Sequence, residues 1–166
     1  MSDNLQSVYA RNCEVRRVDK ATAAAFLSQH HRLGNTVCRY RYGLFVTRRT
    51  GASEAVFEPG TLVAVASFSS PRHRETEGRR ESSYEWVRYA SLTGLRVVGG
   101  MGKMLEAFIA DRHPDDVMTY ADADTGDAGS VYLKLGFKRE CLVERPGFRS
   151  WKFRLTITGR SCGAGL

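Results

Sequence analysis

A glycine-rich turn directly before an amphipathic helix is the feature that most constrains this fold. The turn contains Gly99, Gly100 and Gly102, and Pro114 ends the helix. Apolar residues recur at helical spacing on one face of the helix, at Met101, Met104, Leu105, Phe108 and Ile109. Glycines permit close backbone approach, and the first N–H groups of a helix, here from Met101 to Met104, attract anions. The segment therefore predicts a strand, a tight turn and a helix N-terminus suited to a pyrophosphate.

Two common phosphate-binding motifs do not fit this turn. A Walker A loop requires serine or threonine after Gly102 and Lys103, where the chain has Met104. A dinucleotide-binding fingerprint requires a third glycine at position 105, where the chain has leucine. The turn is therefore of another kind, and a glycine-rich turn without a ligand is an open alternative.

Strand and helix patterns alternate along the chain. Strands are predicted at 13–18, 37–47, 62–68, 83–92, 117–122, 137–143 and 150–157. Asp19 is expected to cap a helix at 20–31, and Asp127 a short helix that ends at Gly136. This order predicts an α/β (α+β) fold: a mixed, mostly antiparallel central sheet of six to seven strands, flanked by helices.

The length of 166 residues is typical of one domain. We expect a single domain over 1–166, with a polar lead-in at 1–10, a mobile charged loop at 71–81 and a flexible tail at 158–166. No apolar run approaches the ~20 residues of a membrane span, and the N-terminus lacks the apolar core of a signal peptide. The expected location is cytoplasmic, without a membrane partner.

The charge balance favours negatively charged partners. Lys and Arg number 25 against 18 Asp and Glu, a formal net charge of +7. Such a surface attracts nucleic acid, an acidic protein or a phosphate-rich cofactor, although scattered arginines are equally explained as solvated faces. The four cysteines and four histidines lack the spacing of a zinc site, so no metal is expected.

Two segments resemble the Gcn5-related N-acetyltransferase (GNAT) superfamily. The stretch 97–105 (VVGGMGKML) is similar to its acyl-CoA turn, although the family usually has Gln or Arg at the position of Val97. The stretch 131–137 (VYLKLGF) is similar to its "lYeklGF" helix, and Ala128 falls at the usual small-residue position. The resemblance covers about residues 62–137 and implies the GNAT-like sheet.

The resemblance also implies a cofactor, acetyl-CoA or another acyl-CoA. Its pyrophosphate would be held by the backbone of Val97, Val98, Gly99, Gly100, Met101, Gly102 and Lys103. Its pantetheine arm would pair with the strand edge at Leu92 and Thr93, where the family's strands splay apart. Tyr132 would be the general acid that protonates the departing CoA thiolate, and a purely structural core tyrosine is the alternative.

Five further residues are candidates: Glu85, His31 and Asp122 for the proton acceptor, and Arg88 and Asp124 for substrate binding. Glu85 is the first candidate for the base, with a salt bridge to Arg88 or another arginine as the alternative. His31, at the end of the first helix, is the second, unless it only complements the helix dipole. Asp122 and Asp124 follow a strand end where α/β ligands bind. Either could orient a basic acceptor or act as the base, and Asp124 could equally cap a turn.

The resemblance therefore implies an N-acyltransferase that moves an acetyl group from acyl-CoA to a primary amine in a ternary complex. A softer likeness points to the Mom-type phage DNA-modifying proteins of the same fold, through His31, Glu85, Arg88 and Asp122. That alternative would modify a nucleobase in DNA or RNA. A third alternative is a catalytically silent GNAT-like binding module.

Overall fold

A computed structural model describes residues 6–50, 56–127 and 129–157. Within these ranges the chain forms ten strands, three α-helices and one 3-10 turn. The elements are β1 (Gln6–Tyr9), the 3-10 turn (Ala10–Asn12), β2 (Cys13–Arg17), α1 (Lys20–His30), β3 (Tyr40–Val46), β4 (Leu62–Phe68), β5 (Arg72–Thr76), β6 (Arg79–Ser91), β7 (Leu95–Val98), α2 (Gly100–Arg112), β8 (Asp116–Asp122), α3 (Ser130–Lys134), β9 (Lys138–Arg145) and β10 (Phe148–Thr156).

The chain divides into two compact units that share strand β6. The first unit comprises Met1–Ser70 and Trp86–His113, and the second comprises Pro71–Glu85 and Pro114–Leu166. Hydrogen bonds order the strands β2-β3-β4-β6-β8-β10-β9, with β5 paired to β6 and a separate parallel pair β1-β7. All ladders of the eight-stranded sheet except β6-β8 are antiparallel. The predicted fold class is confirmed.

Both faces of strand β4 are buried in the first unit, as its continuous apolar sequence predicts. Helix α1 contributes Ala23, Phe26 and Leu27 to a cluster with Val65 of β4 and Ala90 of β6. On the alternate positions, Phe68 stacks on Phe108 of α2 with ring centroids 3.8 Å apart. The side chain of Asp19 accepts a hydrogen bond from the Thr22 N–H at 2.7 Å, so the predicted N-cap of α1 is present.

The core of the second unit is centred on Phe153 of β10, which is fully buried. The ring of Tyr132, on helix α3, lies with its centroid 5.7 Å from that of Phe153 and 5.6 Å from that of Phe137. Strand β10 pairs with β8 and β9 on its two sides, which fixes the face that Phe153 presents to α3.

Three local predictions are wrong. Residues 71–81 form the β5-β6 hairpin instead of a mobile loop, and Glu77 and Gly78, both with positive φ, make its turn. Cross-strand pairs of opposite charge, such as Arg74 with Glu81 at 3.3 Å, explain why this charged segment forms strands.

The other two corrections concern element ends. The lead-in contains β1, which pairs in parallel with β7, and the 3-10 turn. The N-cap of α3 is Gly129 in a left-handed conformation, so Asp127 is not its cap. The predicted ends 1–5 and 158–166 lie outside the described residues. No helix in the described part of the chain is long and apolar enough to cross a membrane.

Candidate functional site

The glycine turn in the first unit forms the N-terminus of α2. Gly99 adopts a left-handed conformation with φ +77°, which glycine accepts without strain, and it is the N-cap. The first intrahelical hydrogen bond runs from Lys103 N–H to Gly99 O at 3.1 Å. The N–H groups of Gly100, Met101 and Gly102 consequently have no acceptor within the helix. An anion at this helix N-terminus would meet these three N–H groups, whereas Lys103 N–H, within the predicted range from Met101 to Met104, is already bonded inside the helix.

A half-buried tyrosine, Tyr89, packs against the same turn. A Cβ atom at Gly100 would lie 2.5 Å from the Tyr89 hydroxyl and 2.9 Å from Cγ1 of Val97, so the position requires glycine. Burial raises the pKa of Tyr89 to about 12, with a smaller contribution from Cys13. Tyr89 therefore keeps its proton at neutral pH. Val97 and Val98, expected to contact a pyrophosphate, lie in β7 opposite Val8 and Tyr9 of β1.

Lys103 anchors the turn to the N-terminal segment. Its Nζ donates to the carbonyl of Ala10 at 2.9 Å and to that of Cys13 at 2.5 Å. Its backbone N–H donates to the Gly99 carbonyl. The backbone N–H that Lys103 was expected to offer a pyrophosphate is thus engaged within the helix, and its side chain holds the 3-10 turn beside α2.

We expect Lys103→Met to destabilise the first unit by about 1–3 kcal/mol, because two carbonyls near the buried Cys13 lose a charged donor. Urea unfolding measures the loss. In a variant retaining only this cysteine, the rate of thiol labelling at Cys13 should also rise. Lys20→Met, an exposed lysine on α1, is the matched control. Equal stability of the two variants would contradict the anchoring role.

A cleft of about 440 Å³ lies between the end of α1 and the segment that follows β6. It is lined by His30, His31, Arg32 and residues 89–95, which include Leu92 and Thr93. The Thr93 N–H donates to His30 Nδ1 at 3.1 Å, and the Leu92 N–H donates to Val63 O at 3.0 Å. The N–H groups of the predicted pantetheine-binding edge are therefore already satisfied.

The unpaired edge of the sheet lies earlier in strand β6. Its pairing with β8 covers Ser83 to Glu85 and stops there. From Trp86 to Ser91 the strand pairs with β4 on one side, and from Val87 to Ser91 no described strand pairs with its other side. An extended ligand can pair with such an edge, where Val87 O already accepts from Arg88 Nη1 at 3.0 Å.

His31 is half-buried and oriented as a hydrogen-bond donor. Its Nδ1 accepts the Leu33 N–H at 3.0 Å. Burial lowers the pKa of His31, and the charges of Arg88 and Arg32 lower it further. In the neutral ring the remaining nitrogen carries the proton, so the one basic lone pair is already occupied. This geometry does not favour the predicted role of His31 as a base.

Arg88, also half-buried, is held by backbone carbonyls. Its Nε donates to Gly34 O at 3.3 Å and its Nη1 to Val87 O at 3.0 Å. These contacts fix the guanidinium beneath the loop that follows α1 and leave Nη2 for another acceptor. A substrate-binding role for Arg88 fits this arrangement.

The second unit contains the other predicted residues. Burial raises the pKa of the Tyr132 hydroxyl, opposed by a hydrogen bond from the Thr119 side chain, so the phenol is protonated at neutral pH. Glu85 is half-buried in β6, opposite Met118 of β8. A protonated phenol and a carboxylate are the group types that an acid and a base require.

The two aspartates that follow β8 have structural contacts. Oδ1 of Asp122 accepts the Asp124 N–H at 2.9 Å, which forms an Asx turn. Asp124 is exposed and pairs with Arg149 at 2.8 Å. These contacts favour turn formation over catalysis for both residues. Within 6–50, 56–127 and 129–157, no three His, Cys, Asp or Glu side chains are grouped as metal ligands would be.

Sequence reasoning did not identify His30 or Tyr89. His30 adjoins the predicted His31, and the sequence carries no signal that distinguishes which of the two reaches Thr93. Tyr89 falls within the predicted strand, but its contact with the glycine turn depends on how β6 and α2 pack. The contacts of His30 with Thr93 and of Tyr89 with Gly100 both depend on the tertiary packing, which the local sequence does not reveal.

Comparison with known proteins identifies the fold. No family profile and no curated protein matches the sequence. The NatC complex bound to Gag peptide and CoA has a chain with TM-score 0.60 and 13% identity, covering 89% of this chain and 99% of that one. Arabidopsis thaliana Naa50 in complex with a bisubstrate analogue gives 0.58 and 9%, covering 88% and 99%.

A third similar structure acts on a different class of molecule. The aminoglycoside N(6')-acetyltransferase from Legionella pneumophila gives a TM-score of 0.59 at 11% identity, covering 87% of this chain and 92% of that one. At sequence identities this low, the similarity shows a shared fold only. The strand order, the glycine turn before α2 and these structures agree: the chain has the fold of the Gcn5-related N-acetyltransferase superfamily.

Proposed function

We propose that this protein is an acyl-CoA-dependent N-acyltransferase that moves an acetyl group to a primary amine. The observation that carries the proposal is the edge of β6 at residues 87–91, with which no described strand pairs, in the same unit as the three N–H groups of Gly100, Met101 and Gly102. An extended pantetheine arm can pair with such an edge, and a pyrophosphate suits such a helix N-terminus.

The proposed cofactor is supported by the fold. The NatC structure was solved with CoA and the Naa50 structure with an analogue that contains CoA. In this chain, Val97 stands where the superfamily usually has Gln or Arg. The backbone N–H groups and the positive end of the α2 dipole would therefore hold the pyrophosphate. Acyl-CoA would supply the activated thioester.

The proposed reaction is direct transfer in a ternary complex. The amine nitrogen forms a bond to the carbonyl carbon as the C–S bond breaks, and CoA leaves as a thiol. Tyr132 gives the thiolate its proton, and Glu85 takes the proton that the amine loses, directly or through water. Backbone N–H groups of β6 would stabilise the developing oxyanion. Asp122 is the alternative base, with one oxygen already used by its own turn.

Titration with acetyl-CoA by calorimetry is the first test of the cofactor site. We expect binding by the wild-type protein and at least a tenfold higher Kd for Gly100→Ala, because the new methyl group would displace Tyr89 and the turn. Gly126→Ala is the control, since no atom lies within 4 Å of its Cβ. Absence of acetyl-CoA binding by the wild-type protein would contradict the proposed acyltransferase activity and favour a catalytically silent binding module.

The distribution of charge favours a second candidate, modification of a nucleobase in a polyanionic acceptor. The first unit contains 13 Lys and Arg against 7 Asp and Glu, whereas the second contains 12 against 11. The positive charge of the chain is thus concentrated in the first unit, where it would attract phosphates. Modification of a base, together with nucleic-acid binding that weakens steeply with salt, would support this candidate. Absence of nucleic-acid binding, or binding without modification of a base, would contradict it.

A further inference from the structure

Three polar residues form a row across the α1 face of the sheet in the first unit. Arg41 of β3 pairs with Ser67 of β4, and Ser67 pairs with Arg88 of β6. Residues directly opposite each other in antiparallel strands project on the same side of the sheet. Val65, two residues before Ser67 in β4, lies on this same face and packs in the apolar cluster beneath α1. The row therefore continues the same face beyond the core.

The row contains hydrogen-bonding groups that the described chain leaves unused. Ser67 is fully buried, and its hydroxyl has no hydrogen-bond partner among the described residues. The Nε of Arg41 is also buried without a partner there. Buried polar groups are nearly always paired, since an unpaired one costs the full free energy of its desolvation. Two such groups side by side indicate that something else supplies the acceptor.

Backbone carbonyls of the loop between α1 and β3 hold the two arginines of the row in place. Arg41 Nη1 donates to Cys38 O at 2.9 Å, and Arg88 Nε donates to Gly34 O at 3.3 Å. Both carbonyls belong to the loop that joins α1 to β3. These contacts use part of each guanidinium and fix its direction, which lowers the entropic cost of binding a ligand.

No carboxylate neutralises the row in the described part of the chain. Neither Arg41 nor Arg88 has an ion pair there. Hydrogen bonds from Thr22 lower the pKa of Asp19, with a minor contribution from Arg41, but Asp19 is exposed and caps α1. Two half-buried cations beside a buried hydroxyl make a site for an anion with several oxygens.

We propose that Arg41, Ser67 and Arg88 bind an oxyanion, and that this anion is the acidic group, phosphate or carboxylate, of the acceptor. The second part rests on the proposed function, because it makes the row a specificity site for an acceptor that carries an amine and an acid. The first part stands on the row alone. The planar fork of an arginine guanidinium can donate to two oxygens of either group, and the Ser67 hydroxyl adds another donor.

The test is calorimetry without any CoA, using inorganic phosphate, phenyl phosphate and acetate as probes. We expect at least one probe to bind, with Kd about tenfold higher in Ser67→Ala and higher still in Arg88→Gln. Arg49→Gln removes the same charge from an exposed arginine paired with Glu58 and should bind as the wild type does. Preference for the phosphates or for acetate identifies which acidic group the row selects.

Thermal unfolding of Ser67→Ala separates a binding role from a structural one. If the Ser67 hydroxyl serves to bind a ligand, it has no hydrogen-bond partner in the ligand-free protein. Its removal should then leave Tm unchanged or raise it. A lower Tm with unchanged probe binding would overturn the proposal, as would the absence of binding by every probe. Failure of acetyl-CoA titration alone would remove the acyltransferase and leave the oxyanion site.

Discussion

Tyr132→Phe should lower kcat by ~100-fold or more, the scale of a lost general acid. The phenol is protonated at neutral pH because burial raises its pKa, so it can supply a proton to a thiolate. The ring packs between Phe137 and Phe153, and phenylalanine keeps those contacts. KM for acetyl-CoA should change little, since the lost proton acts in the transition state. Steady-state kinetics with a primary amine acceptor measures both constants.

Thr119→Val is the matched control for this substitution. It removes the same hydrogen bond between Thr119 and Tyr132 but keeps the phenol. We expect it to retain most of the turnover and to lose about 0.5–1.5 kcal/mol of stability, as Tyr132→Phe also should. Equal turnover of Tyr132→Phe and the wild type would exclude Tyr132 from the reaction. Equal losses in the two variants would assign the effect to the hydrogen bond.

Gly129→Ala should be the most destabilising single substitution proposed here, at about 2–5 kcal/mol. Gly129 has φ +83°, and its added Cβ would lie 2.1 Å from Cζ of Phe153. Phe153 is fully buried, so its ring cannot move without disturbing the core of the second unit. Urea unfolding followed by fluorescence of Trp151, in the same unit, measures the effect.

Gly126→Ala provides the comparison for Gly129. It lies in the same connection between β8 and α3, its φ is not positive, and no atom lies within 4 Å of its Cβ. Its stability should stay within about 0.5 kcal/mol of the wild type. A similarly small change for Gly129→Ala would show that α3 does not pack on Phe153 as described.

Local sequence patterns predicted most of the elements because their signals lie within a few residues. Asp19 caps α1 through a contact three residues away, and the apolar spacing of α2 follows from its own periodicity. The continuous apolar run of β4 identified a strand buried on both faces. The β5-β6 hairpin was missed because its charged residues are stabilised across strands, which a linear pattern does not reveal.

The candidate site could be predicted only in part. The turn at Gly100 and the Tyr132 helix were found because each is one continuous segment similar to a known motif. The residues around them were not, because each contact joins distant positions. Lys103 reaches Ala10 across 93 residues, and His30 reaches Thr93 across 63.

The sequence by itself determined the three helices, most of the strands, the glycine turn before α2 and the excess of positive charge, since each depends on neighbouring residues or on composition. Only the tertiary structure decided which of these groups meet. Strand register brought Arg41, Ser67 and Arg88 into one row, and it left the buried hydroxyl of Ser67 without a partner in the described chain. Register is fixed by the packing of whole faces, so a shift of one residue would turn this row to the opposite side of the sheet.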